Sequence, residues 1–476
     1  MDKFFKISER GSNVRTEIFA GLTTFFAMAY IVVTNPNQIT SFDPTIGGGK
    51  IWNAVYVASI LVAVIGTLLM AFLAKMPFAQ ACGMGLNSFF FVSFVLPELM
   101  TDGGDPIKGY QAGCVIILCE GLIFLALSVS GIRRKISTSL PDCLKKAIPA
   151  GIGLFIAFIG LKNVGLIQAN QYTFVQFFDF HGAIKNAKNA MDAWEAIAPV
   201  VLAFLGLVLI GVLSKKNVKG SIIISIFAIT VLYYLTTWTL PEFKLNQIGQ
   251  SFKDFADIGI VGVFQPESWS HAFGGFENIG AIFNAIMLIV VFCLVDMFDT
   301  LGTLYGTATE AGMLDENNDP INVDKCMMCD SIATVSGAVL GTSTCTTFVE
   351  SSAGVAAGGR TGLTSLVTAI CFFVCLFLTP LASIIPTCAT SPALIFVGVL
   401  MLKNFANVDM KDMRSAVPAF LALIMMPLTY SIANGIGIGA IAYTLITLFT
   451  GKYSKKDIIP TIISVLFILK FIFITM

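Results

Sequence analysis

The sequence predicts an all-α polytopic membrane protein with fourteen transmembrane spans, arranged as two inverted repeats of seven. Three observations carry this expectation. The first is composition. Of 476 residues, 56% are hydrophobic and 12% charged, with mean hydropathy +0.84, whereas soluble domains carry about 25% charged residues. The second is the distribution of lysine and arginine between the two sides. The third is a phrase that recurs in both halves at an odd offset in span number.

A crossing helix needs about 20 apolar residues. Such stretches fall near 16–36, 52–74, 77–99, 109–130, 141–161, 194–214, 220–238, 277–304, 326–340, 342–359, 361–384, 387–403, 415–431 and 433–450. The apolar stretch 458–473 contains Pro460 and Lys470 and reads as a fifteenth span or an interfacial helix. With the N-terminus in the cytoplasm, inner connections hold 21 of the 29 basic residues and outer connections seven. The positive-inside rule asks for this asymmetry, and a miscounted span would scramble it. The expected location is the cell membrane. Two long outer connections, 162–193 and 239–276, read as loops with short amphipathic pieces.

Other classes lose support. Net charge is zero, so no nucleic-acid partner is expected. Most of the eleven cysteines sit in apolar stretches and act as small hydrophobes. Cys326 and Cys329 form the one CxxC, and the two histidines, His181 and His271, fall in outer loops. No zinc set results, so neither a metal nor another cofactor is expected. No histidine falls in any span and no nucleophile–base pair is visible, which argues against an enzyme.

The repeat sets the architecture. Ile148–Asn163 and Ser391–Asn404 both carry Pro-Ala early and close on Leu-Lys-Asn, and Ala203-Phe-Leu echoes Ala419-Phe-Leu. Spans five and six thus match spans twelve and thirteen. An offset of seven turns the second half upside down, a transporter architecture with its site near the midplane.

Span eight contains Asp296 and Asp299, three apart and on one helical face, with Gly302 and Thr303 continuing the stripe. A carboxylate at bilayer depth costs a few kcal/mol, so such residues line cavities or pair. The offset also pairs spans three and ten, and both look interrupted. Span three holds Pro77, Gly83, Gly85 and the Asn87-Ser88 pair. Span ten crowds hydroxyls before Glu350, Ser351 and Gly354. Ser and Thr in such a run favour extended or turn backbone, which survives at membrane depth only around a cavity or within protein. Each span is therefore expected as a short extended piece followed by a half-helix. The half-helices should begin near Asn87 and Glu350, with free N–H groups facing the site.

The motifs Gly83-Met-Gly-Leu-Asn-Ser88, Phe298-Asp-Thr-Leu-Gly-Thr303 and Thr346-Thr-Phe-Val-Glu-Ser351 together resemble the nucleobase permease superfamily of xanthine and uracil carriers. Within it they resemble the azaguanine-type branch, which carries hypoxanthine, guanine and adenine. The resemblance spans essentially the whole chain, including Asn13–Ile31. It implies a core domain from residues 1–130 and 277–385, a gate domain from 131–276 and 386–450, and a C-terminal segment, 451–476. It also implies a homodimer formed through the gate domain. Asn87, Asp296, Asp299 and Glu350 stand at the branch's functional positions, and Asp299 aligns with the substrate-binding carboxylate of uracil carriers. Two histidines of the uracil-carrier pattern are Thr300 and Thr303 here, so proton coupling through histidine does not carry over.

These residue types suit a neutral purine. An ionised carboxylate only accepts hydrogen bonds, and an oxopurine presents N–H donors. Ser88, Thr303 and Ser351 add hydroxyls, while Phe348, Phe298 and Phe89–Phe91 offer stacking faces. Gly83, Gly85, Gly302 and Gly354 are candidates for close approach near the site. Acids crowded in one cavity do not all ionise cheaply, so Asp296, Asp299 and Glu350 are the candidates to carry a coupling proton. The expected function is purine import by proton symport. A xanthine- or uracil-type carrier is the nearest alternative. An anion exchanger of similar architecture is disfavoured by the carboxylates.

Overall fold

The computed structural model describes residues 2–130, 141–218, 220–241, 245–276, 279–311, 313–314, 320–451, 453–454 and 457–473. The basic cluster Arg133–Lys135, the acidic stretch 315–319, the Phe298 side chain and the surroundings of Gly302 lie outside the described parts.

Helices dominate because each satisfies its own backbone hydrogen bonds, a requirement in hydrocarbon. The principal ones in the first half are α1 (Val14–Met28), α2 (Ile31–Ile39), α3 (Lys50–Leu69), α4 (Met84–Phe90), α5 (Pro106–Val129), α6 (Asp142–Asn163), α7 (Ala190–Lys215) and α8 (Ser221–Thr237). The second half has α9 (Ile279–Ala311), α10 (Val323–Leu340), α11 (Ser351–Ala356), α12 (Gly362–Cys375), α13 (Thr387–Leu402), α14 (Met413–Leu428), α15 (Ile432–Phe449) and α16 (Ile458–Phe473).

Among the described residues, nine helices are long and apolar enough to cross a membrane. The other predicted spans fall on shorter apolar helices, on strand–helix units, or on α10. Asp324, Lys325 and Asp330 lower the hydropathy of α10. The count of fourteen crossings therefore stays an expectation of the sequence.

The inverted relation between the halves is visible in the packing. Gly153 of α6 abuts Gly398 and Met401 of α13, and Gly160 abuts Ser391 and Leu394. Rising numbers on one helix meet falling numbers on the other, so the two repeat-equivalent helices run antiparallel. A Cβ at Gly398 would stand 2.4 Å from the Gly153 carbonyl. Small residues are what lets two membrane helices approach this closely. Each helix also meets the successor of the other: Gly151 of α6 packs on Ala422 and Met426 of α14, and Gly206 of α7 on Pro392 of α13.

A second group joins α1, α3 and α5 to α10 and α12. Gly66 of α3 abuts Ala333 of α10, and Thr368 of α12 donates to the Gly21 carbonyl at 3.0 Å. Buried Glu17 ties α1 to the start of α12, accepting from the Arg360 and Thr361 N–H groups at 2.9 and 3.2 Å and from the Thr364 hydroxyl at 2.6 Å. A carboxylate at a helix N-terminus complements its unpaired donors.

The two interrupted spans meet here. Strand β1 (Gln80–Cys82) precedes α4, and β4 (Cys345–Thr347) precedes α11. They pair antiparallel, with Gln80 opposite Thr347 and Cys82 opposite Cys345. Each strand thus supplies the backbone partners that the other would lack at membrane depth. The second half-helix begins where expected, at Ser351 with Glu350 before it. The first begins at Met84, one turn earlier than expected, because the extended backbone ends at Gly83.

One outer connection is more structured than expected. Residues 162–193 contain a hairpin of β2 (Ile167–Asn170) and β3 (Phe174–Phe177). Its turn is set by the Asn170 side chain, which accepts from the N–H groups of Tyr172 and Thr173 at 2.8 and 3.0 Å. Such an Asx turn is a local signal that the loop reading passed over. The segment 458–473 is a continuous helix on α15, with Phe467 against Gly437 and Ser464 bonded to Thr444 at 2.7 Å. Asp457 anchors its start to Arg414 at 3.2 Å and Tyr443 at 2.8 Å.

Candidate functional site

The β4–α11 turn is held from behind by the lead-in to β1. Phe348 donates its N–H to the Ala79 carbonyl, and Ala79 donates to the Ser351 hydroxyl oxygen, both at 3.0 Å. Glu350 sits at the N-cap of α11 without using its side chain as a cap. Its carboxylate is therefore free to project into the space beside the crossing.

That space is a cavity of about 620 Å³, within the usual range for small-molecule sites. One wall comes from Met84 and Gly85 of α4, Asp299, Thr303 and Thr307 of α9, and Thr346–Glu350. The facing wall is Pro149 and Ile156 of α6 with Phe396 and Val397 of α13. The cavity continues to Ser214, Asn217 and Lys403, in segments that the charge asymmetry assigns to the inner side. Asp299 and Glu350 are the acids among the described lining residues, and Lys403 is the base. Thr346, Asp299 and Glu350 line this one cavity together.

The sequence-predicted residues divide into two sets. Asp299, Glu350, Thr303, Phe348 and Gly85 line the cavity. Asn87, Ser88, Asp296 and Ser351 do not. Asn87 is buried on the far side of α4, where its amide donates to Asn35 at 2.6 Å and to Gln38 at 3.3 Å and its oxygen accepts from Ser343. Ser88 is buried beside it. Asp296 lies behind β4 and accepts from Thr334 at 3.4 Å. Ser351 is committed to the backbone of Ala79. Gly85 and Gly354 are close-approach points: a Cβ would stand 2.3 Å from Ile152 Cγ2 at the first and 2.0 Å from Thr24 Oγ1 at the second. Gly83 closes the strand.

Two buried residues that the sequence reading does not single out adjoin the site. Tyr30, at the break between α1 and α2, donates its hydroxyl to Glu350 Oε1 at 2.6 Å. Asp330 of α10 accepts from Thr300 at 2.7 Å and from Gln80 at 3.4 Å. Each carries a signal in the sequence. A phenol far from a span's ends needs a hydrogen-bond partner, and a carboxylate inside an apolar stretch needs one more urgently.

With the acids, the hydroxyls and the facing apolar wall, the cavity can take a flat, neutral, donor-rich ligand. The family model Xan_ur_permease, described as "Permease family", matches residues 15–438. The chain is similar to the guanine/hypoxanthine permease PbuG of Bacillus subtilis, at 38% identity over 99% of this chain and all of that one. It is also similar to the adenine permease AdeP of Escherichia coli, at 36% identity over all of this chain and 96% of that one. The transmembrane domain of the cyanobacterial bicarbonate transporter BicA shares the fold, with a TM-score of 0.60 at 16% identity over 89% of this chain and 98% of that one. This is a multi-pass membrane transport protein rather than an enzyme, and it belongs to the nucleobase permease family of xanthine and uracil carriers.

Proposed function

We propose that this protein imports a purine nucleobase by proton symport, with Asp299 and Glu350 as the carboxylates that receive the base. The observation that carries the reading is their convergence on one cavity at the strand crossing, with no basic side chain from β4, α9 or α11 lining it. Carboxylates accept N–H donors and repel anions. Relatives named as guanine/hypoxanthine and adenine permeases support the substrate class. On this reading the core, with spans one to four and eight to eleven, moves against the gate formed by the remaining spans. The sliding surface runs between α4 and α9 on one side and α6 and α13 on the other. With an inner N-terminus, the cavity's extension to Lys403 supports a cytoplasm-facing state.

Uptake of labelled hypoxanthine, guanine, adenine, xanthine and uracil by cells lacking their own carriers tests the substrate class. One of the first three should be taken up in preference to xanthine and uracil. Addition of that base to a weakly buffered suspension should make the medium more alkaline as protons enter with it. Uptake indifferent to the proton gradient and to an uncoupler would remove the symport element.

A further inference from the structure

We infer that Tyr30 is a positioning residue for the substrate-binding carboxylate, holding Oε1 of Glu350 and leaving Oε2 as the oxygen without a protein donor among the described residues. The inference rests on the purine reading of the cavity. It begins from a division of labour between two oxygens. Glu350 Oε1 accepts from the Tyr30 hydroxyl at 2.6 Å. Glu350 Oε2 is buried and has no hydrogen-bond partner among the described residues. The residue as a whole is 9% exposed and lines the cavity. A buried carboxylate oxygen without a donor is costly, so it marks a place where a donor belongs.

The phenol is well placed to hold this division. Tyr30 is fully buried and does not line the cavity. Its backbone sits where the first apolar stretch breaks between Met28 and Ile31. Its side chain meets Glu350, 320 residues away in sequence. Glu350 itself precedes α11, whose backbone is anchored through Ser351 to Ala79. The carboxylate is thus fixed at both ends, by its backbone and by the bond to Oε1. Its plane is set, and Oε2 is the oxygen left without a protein donor among the described residues.

This has a consequence for selectivity. A guanidinium or amidine recognises a carboxylate by bonding both oxygens side by side. With the Tyr30 hydroxyl already on Oε1, a fork that needs both oxygens side by side meets a competing donor, and Oε2 is the oxygen left to take a ligand N–H. The geometry favours a heterocycle with separated N–H groups over a forked cation.

The test is uptake kinetics of Tyr30→Phe beside wild type, with the amount of each protein in the membrane measured. Phenylalanine keeps the ring and removes the donor, so Oε1 becomes available and the carboxylate plane is no longer fixed. The expected result is a KM for the transported purine raised about tenfold or more, the size of one hydrogen bond to a charged group, with maximal rate per molecule within about twofold. Tyr30→Phe should also gain inhibition by benzamidine, which wild type resists. A lower membrane level or maximal rate with unchanged KM would mean a purely structural role and overturn the inference. Should Tyr30→Phe not accumulate, the comparison is made on Tyr30→His, which keeps a ring donor on a shorter stem. A raised KM at unchanged maximal rate then supports the inference, and an unchanged KM overturns it. Failure of wild type to take up any purine base would overturn the purine reading itself, and this inference with it.

Discussion

The β1–α4 arm and the β4–α11 arm share a plan: three paired residues, a short connection, then a half-helix. Their polar residues face opposite ways. On the β4–α11 arm, Thr346, Thr347 and Glu350 line the cavity. On the β1–α4 arm the cavity meets only Met84 and Gly85, while Asn87 turns into a neutral network with Asn35, Gln38 and Ser343. One arm presents chemistry, and the other presents a smooth surface to α6. Pseudo-symmetry of the backbone therefore does not carry over to use. The first half-helix begins two residues after its strand and the second four residues after, and each residue of offset turns the side chains by about 100°, so equivalent positions on the two arms face different ways.

Substitutions can break or sharpen that contrast. The largest effect is expected at Glu350→Gln, where the carboxylate acceptor becomes an amide. Uptake should fall roughly 100-fold while the protein still reaches the membrane, as judged by immunoblot of membrane fractions. Near-normal uptake would remove the β4–α11 arm from the binding site. Gly85→Val comes next. The new side chain meets Ile152, already 2.3 Å from the first added carbon, across the proposed sliding surface. Overpacking of this kind costs about 1–3 kcal/mol. The measurement is transport rate against ligand-induced thermal shift, and rate should fall about tenfold while binding persists.

Asn87→Ala should act mainly on stability. It strips partners from Asn35 and Ser343, a loss of about 1–3 kcal/mol, readable as a lower unfolding temperature in detergent. A KM change larger than the stability change would instead bring Asn87 to the ligand. Ser88→Ala should do least, within about 0.5 kcal/mol in stability and within about twofold in uptake. A larger effect would show that the smooth arm has a polar task.

Much of this was legible in the sequence, for identifiable reasons. Pro77, the glycines at 83 and 85, and the hydroxyl run before Glu350 are poor helix formers in stretches that must cross a membrane, so both interruptions announced themselves. Glu350 and Asp299 stood out as charges in apolar surroundings. What could not be read was rotation and reach. Asp296 and Asp299 are three residues apart, yet Asp299 faces the cavity and Asp296 the back of β4, because the packing of α9 against β4 and α10 sets its roll. The Tyr30 partner lies 320 residues away, a distance no local pattern spans. The β2–β3 hairpin was hidden in a connection whose polarity suggested a loop with short amphipathic pieces.

The strand crossing also sets a timetable for biogenesis. Gln80 pairs with Thr347, 267 residues later. At ordinary translation speeds roughly 10–50 s separate the two. Throughout that interval β1 is in or near the bilayer without the backbone partners that make it tolerable there. The nascent first half must be sheltered, by the insertion machinery or by provisional partners, until β4 arrives. A ribosome stalled before residue 345 would leave a chain marked for proteolysis by three unpaired peptide groups, however well its other helices had inserted.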